Sequence, residues 1–132
     1  MDIAALTGAS PLIQTHAYAA FAALGLGAVQ LALPKGTPLH RASGGAWAGL
    51  MLLVAGSSLF IHTFRTFGPF SLIHVLSIWT LFAIPRLVLL ARRGLIVAHA
   101  RGMRHLYVLA LIVTGLFTLW PGRIMNLVVF GP

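Results

Sequence analysis

Long apolar stretches, broken by proline, glycine and basic residues, run the whole length of the chain. Ser10-Pro11 pairs a capping hydroxyl with a residue that has no N–H to leave unpaired, which predicts a helix start. This first helix spans about 11–33 and stops at Pro34-Lys35-Gly36. Thr37-Pro38 repeats the start signal, predicting a second helix over about 38–63. Gly68-Pro69 opens a third over about 69–92, which turns at Ala91-Arg92-Arg93-Gly94. A fourth, over about 101–120, begins between Val97 and Met103 and stops before Pro121-Gly122. Pro85 falls inside the third helix, where it is expected to kink the chain and free the carbonyl near Leu81. The stretch 121–132 is too short to cross a bilayer and is expected in the interface or against the other helices.

Each predicted helix reaches the roughly 20 residues that a membrane crossing needs. The pattern therefore predicts an all-α fold: one integral membrane four-helix bundle with short loops. The first helix lacks a basic leader and a small-residue cleavage site, so it reads as retained. Lipid supplies no hydrophobic drive between helices, and small residues mark where they touch. His16, Ala19, Ala20, Ala23, Gly27 and Gln30 form such a stripe on the first helix. On the second, His40, Gly44, Ala48, Met51, Ala55, Ser58 and His62 share a face, with Gly45 and Gly49 beside it. Thr114, Gly115 and Thr118 offer a similar surface on the fourth.

Composition strengthens the membrane reading. Hydrophobic residues make up 59% of the chain and charged residues 8%, against about 25% charged in soluble domains. Nine Lys/Arg face a single acid, Asp2. The basic residues flank apolar segments instead of forming a soluble basic face, which argues against nucleic-acid binding. Lys35, Arg41, Arg86, Arg92, Arg93, Arg101 and Arg104 fall on one side; Arg65 and Arg123 fall on the other. The positive-inside rule then places both termini on the periplasmic side of a bacterial inner membrane, with anionic lipids at the cytoplasmic rim.

Six histidines carry the chemistry, because ionisable groups inside a membrane are costly and face the interior. His16 comes five residues after Pro11 and His74 five after Pro69, so both lie roughly 7–8 Å along their helices from one surface. Two neutral imidazoles at one depth suit a transition metal or the two faces of a haem b iron. His62 is a further donor, making His16, His62 and His74 the metal set, and Arg65 and Arg123 are suited to haem propionates. The alternative is that His16 and His74 only hydrogen-bond neighbouring helices. At the opposite surface, His40, Arg41, His99, Arg104 and His105 form a polar cluster suited to a phosphate, a quinone head group, a second cofactor or a solvated rim. His40 and His62 are too far apart, at roughly 33 Å along one helix, to hold two stacked haems.

Absences narrow the function. With no cysteine, disulfides, thiolate metal sites and iron–sulfur clusters are excluded. No acid lies in a crossing, which disfavours carboxylate-based proton coupling. No hydrolase triad, HExxH or phosphate loop is present, so no catalytic residue is assigned and independent enzyme activity is not expected.

Four blocks of sequence form a distinctive combination. They are Pro34-Lys35-Gly36-Thr37-Pro38-Leu39-His40-Arg41 with Gly45 and Trp47; Phe70-Ser71-Leu72-Ile73-His74-Val75-Leu76-Ser77; His99 to Met103; and Phe117-Thr118-Leu119-Trp120-Pro121-Gly122-Arg123-Ile124-Met125. Together they resemble the small bacterial family of predicted membrane proteins called domain of unknown function 2306. The resemblance implies four membrane helices and hands over no catalytic residue. Three functions remain open: a haem- or metal-binding electron-transfer protein, a cofactor-free subunit of a membrane complex or homo-oligomer, and a small channel or carrier.

Overall fold

A computed structural model describes residues 2–60 and 72–131. These residues are helical throughout, joined by short turns, with no strand among them. In chain order the elements are α1 (Ile3–Thr7), α2 (Pro11–Ala32), α3 (Pro38–Ser58), α4 (Leu72–Arg92), α5 (Ile96–Thr118) and α6 (Ile124–Phe130). The helix α2, the stretch His74–Arg92 of α4, and α5 are long and apolar enough to cross a membrane. At 21 residues α3 has comparable length, but its first turns carry His40, Arg41 and Ser43.

Local chemistry sets the helix ends. Ser10 Oγ accepts from Ile13 N at 3.3 Å and Thr37 Oγ1 from His40 N at 3.1 Å, each satisfying a first-turn N–H ahead of a proline. Gly94 adopts φ 78°, a left-handed conformation that lets the chain reverse between α4 and α5. Helix resumes at once, so α5 begins at Ile96 and not near residue 101. Its basic opening segment lies on the helix, where the sequence pattern predicted loop. Residues Val108–Val113 of α5 form a π-helical turn, and Thr114 Oγ1 donates to Leu109 O at 2.9 Å across it. The helix α4 runs through Pro85 without interruption.

The small-residue stripes of α2 and α3 become packing faces, whereas the predicted stripe Thr114, Gly115, Thr118 packs on no neighbouring long helix among the described residues and lines a cleft instead. α2 packs on α3, α3 on α4, and α4 on the first half of α5, which returns to α2. Ala23, Trp47, Ala48, Met51, Ile84, Leu87, Leu106 and Leu111 form the buried core. Gly27 lets the rings of Trp47 and Tyr107 lie against α2, and Gly102 lets Leu87 lie against α5. Gly45 and Gly49 face outward with open space beyond them. Outward-facing side chains of α4 from Val75 to Phe82 are large and apolar, Phe82 being 75% exposed, as a lipid-facing surface requires, while Arg86 and Arg92 are exposed toward its end.

The terminal segments fold together. α1 packs on α6, and Asp2 N donates to Val128 O at 3.0 Å. Gln14 Nε2 donates to Thr7 O and Ala9 O, tying α1 to the start of α2. Asn126 Nδ2 donates to Leu119 O at 2.7 Å, tying α6 to the end of α5.

Candidate functional site

Beyond its π turn, α5 stands off from α2 and α4; among the described residues, close packing of its last segment is confined to the π turn and α6. The gap is a cleft of about 260 Å³ between α2, α3, α4 and the end of α5, lined also by Arg123, Ile124 and Met125. Most of its wall is apolar. The polar lining comprises His16, Ser58, His74, Ser77, Thr80, Thr114, Thr118 and Arg123.

His16 and His74, paired by their spacing from prolines, line this one cleft from α2 and α4. His74 is 2% exposed. Below it, Ser77 and Thr80 continue the same buried face of α4 at helical spacing. Ser77 and Ser58 share a hydrogen bond between α4 and α3, and Ser58 Oγ also donates to Ala55 O at 2.7 Å.

The tautomer of His16 follows from its partners. Its Nδ1 lies 3.0 Å from Val54 O and 2.9 Å from Ser57 Oγ. A carbonyl only accepts, so Nδ1 carries the hydrogen, and Ser57 Oγ at 3.0 Å from Val54 O completes the triangle. In the neutral ring, Nε2 then holds the lone pair. This is the protonation pattern of a metal-ligating imidazole whose other nitrogen is fixed by a carbonyl.

Arg123 joins the same cleft from the turn before α6, half-buried, and burial lowers its guanidinium from the ordinary arginine value. His62 and Arg65, the remaining members of the predicted set, lie outside the described residues. No group of three or more His, Cys, Asp or Glu that could hold a metal occurs among the described residues.

The polar cluster predicted at the other end is divided. Gln30 Nε2 donates to His40 Nδ1 at 2.8 Å and to His40 O at 2.7 Å, while Ser43 Oγ bonds Gln30 Oε1. Neutral His40 therefore holds its hydrogen on Nε2, the opposite tautomer to His16. His99 Nδ1 lies 2.7 Å from Leu87 O and so donates to it. Arg41, Arg104 and His105 are exposed. Between the two polar ends lies the apolar layer of Met51, Ile84 and Leu106, each no more than 1% exposed.

Ser57, Ser77 and Thr80 were missed by sequence reasoning. Their signal is spacing: Ser77 and Thr80 follow His74 by three and six residues on one face, whereas Ser57 reaches His16 only through the approach of α3 to α2.

The chain belongs to the DUF2306 family of predicted membrane proteins, whose family model matches residues 13–129. No curated protein and no solved structure matches it.

Proposed function

We propose that this DUF2306 chain is a four-helix bacterial inner-membrane protein that holds haem b in the α2–α3–α4–α5 cleft and serves electron transfer. In this reading α3 is the fourth crossing, packed between α2 and α4, and the basic bias of its turns keeps both termini periplasmic. The observation that carries the proposal is that His16 and His74, from two helices, line one largely apolar cleft. A haem supplies four nitrogens of its own and asks the protein for two axial ligands, so two imidazoles suffice. Arg123 is the propionate partner on the described side of the cleft. A cleft of about 260 Å³ falls below the roughly 300–1,000 Å³ of most ligand pockets. Holding a porphyrin there would therefore require the cleft to widen.

The test is an absorption spectrum of the purified protein, oxidised and then reduced, with elemental analysis. A Soret band with sharp reduced bands is expected, and His74→Ala should lose the chromophore. A metal signal without haem would replace haem by a bare ion on His16, His74 and His62. A colourless, metal-free protein from cells supplied with haem and iron would overturn the proposal.

The outward Gly45 and Gly49 favour a second reading, a cofactor-free structural subunit docked through close helix contact. Stoichiometric co-purification with a membrane complex, together with a colourless protein, would select it.

A further inference from the structure

The two halves of α5 are fastened differently. In the first half, Leu106 is buried in the core, Tyr107 OH donates to Leu24 O at 2.8 Å, and His99 Nδ1 lies 2.7 Å from Leu87 O. The last segment, Thr114–Thr118, has no buried residue. Leu116 is 64% and Phe117 57% exposed, and a Cβ on Gly115 would meet nothing within 4 Å. Among the described residues, this segment packs closely only on the π turn and on α6, although it lines the cleft through Thr114, Gly115 and Thr118. The π turn at Val108–Val113 separates the halves, and such turns are where helices bend. Thr114 Oγ1 donates to Leu109 O at 2.9 Å, so that carbonyl keeps a side-chain partner inside the turn.

A relay of hydrogen bonds ties the end of α5 back to α2. Asn126 Nδ2 donates to Leu119 O at 2.7 Å, joining α6 to the residue that follows α5. Asp2 N donates to Val128 O at 3.0 Å, joining α1 to α6. Gln14 Nε2 donates to Thr7 O at 3.0 Å and to Ala9 O at 2.8 Å, joining α2 to α1 and the turn after it. Leu6, 4% exposed, is the apolar anchor of α1. The two helices of the relay have five and seven residues, too short to be stable alone.

We infer that the last segment of α5 is a movable wall of the cleft, hinged at the π turn, and that α1 and α6 form the clasp that holds it closed. Short elements held by a few hydrogen bonds open at far lower cost than a packed core, which is the requirement for a lid. A ligand wider than the resting cleft enters while the clasp is open. The device does not depend on which ligand the cleft takes, so a colourless protein would overturn haem and leave the clasp standing.

Thiol labelling of the full chain in dodecyl maltoside tests the clasp, since the sequence has no cysteine of its own. Thr80 lines the cleft from α4 and is 1% exposed, so alkylation of Thr80→Cys by N-ethylmaleimide reports cleft opening. Ala23 is 0% exposed and belongs to the core, so Ala23→Cys reports general loosening of the bundle. One hydrogen bond of average strength between membrane helices changes the open fraction about threefold. Gln14→Ala removes two such bonds and should raise the labelling rate at position 80 about three- to tenfold. Asn126→Ala removes one and should raise it about two- to threefold. Labelling at position 23 should stay as it is in both. Spin labels on Tyr18→Cys and Leu116→Cys, exposed positions on α2 and the end of α5, should show a longer or broader distance distribution in Gln14→Ala. Should one clasp variant fail to fold, the other carries the comparison. Unchanged labelling at position 80, an equal rise at positions 80 and 23, or an unaltered distance distribution would overturn the inference.

Discussion

Gly27→Ala tests the packing that holds α2, α3 and α5 together. A Cβ at position 27 would lie 2.7 Å from both Trp47 Nε1 and Tyr107 Cδ2, inside van der Waals contact. Neither ring retreats freely. Trp47 Nε1 donates to Ala23 O at 3.0 Å, and Tyr107 OH donates to Leu24 O at 2.8 Å, one turn away on the same helix. Overpacking of this kind costs about 1–3 kcal/mol. Displacing both rings adds about 0.6 kcal/mol for each hydrogen bond, the average measured between membrane helices. Replacing glycine by alanine in a helix returns about 1 kcal/mol. Gly25→Ala, two residues away with nothing within 4 Å, receives the same helix gain without the clash. The difference between the two variants therefore isolates the contact, at about 2–4 kcal/mol. Unfolding by sodium dodecyl sulfate from dodecyl maltoside, followed by circular dichroism, measures it. A difference below about 1 kcal/mol would refute the reasoning, because it would mean that the rings move away at no cost.

Other outcomes follow from the same geometry. Ser57→Ala leaves the His16 donor in place but removes one of the two groups orienting it, and, if the proposed haem is bound, should weaken its retention about tenfold, the low end for loss of an orienting partner because Val54 O remains. Retention equal to wild type in a dilution series would show that Ser57 does not orient the ligand. Met51→Ala removes a side chain that is 1% exposed and borders the existing cleft, and should cost about 2–5 kcal/mol in the same detergent unfolding assay. A cost under about 1 kcal/mol would mean that the core collapses around the gap.

Much of the architecture is legible in the chain itself. Ser10-Pro11 and Thr37-Pro38 start helices by satisfying N–H groups within four residues, and such local chemistry needs no tertiary partner. The stripe Ala19, Ala23, Gly27 is buried as its spacing predicts, because helical periodicity alone decides which residues share a face. Where the fourth helix begins was less legible. The segment Ile96–Tyr107 is rich in Arg and His and resembles a loop by composition, yet it is helical because its apolar residues Leu106 and Met103 pack on the core. Spacing from prolines was enough to set His16 and His74 at one depth. Only the tertiary structure decided that they share a cleft, because that cleft exists where α5 departs from α2 and α4 beyond its π turn. It also decided the tautomers. His16 and His40 are the same residue type near opposite ends of a helix pair, and one meets a carbonyl while the other meets an amide N–H. A sequence specifies which side chains can donate or accept; the neighbouring helix determines which of them does.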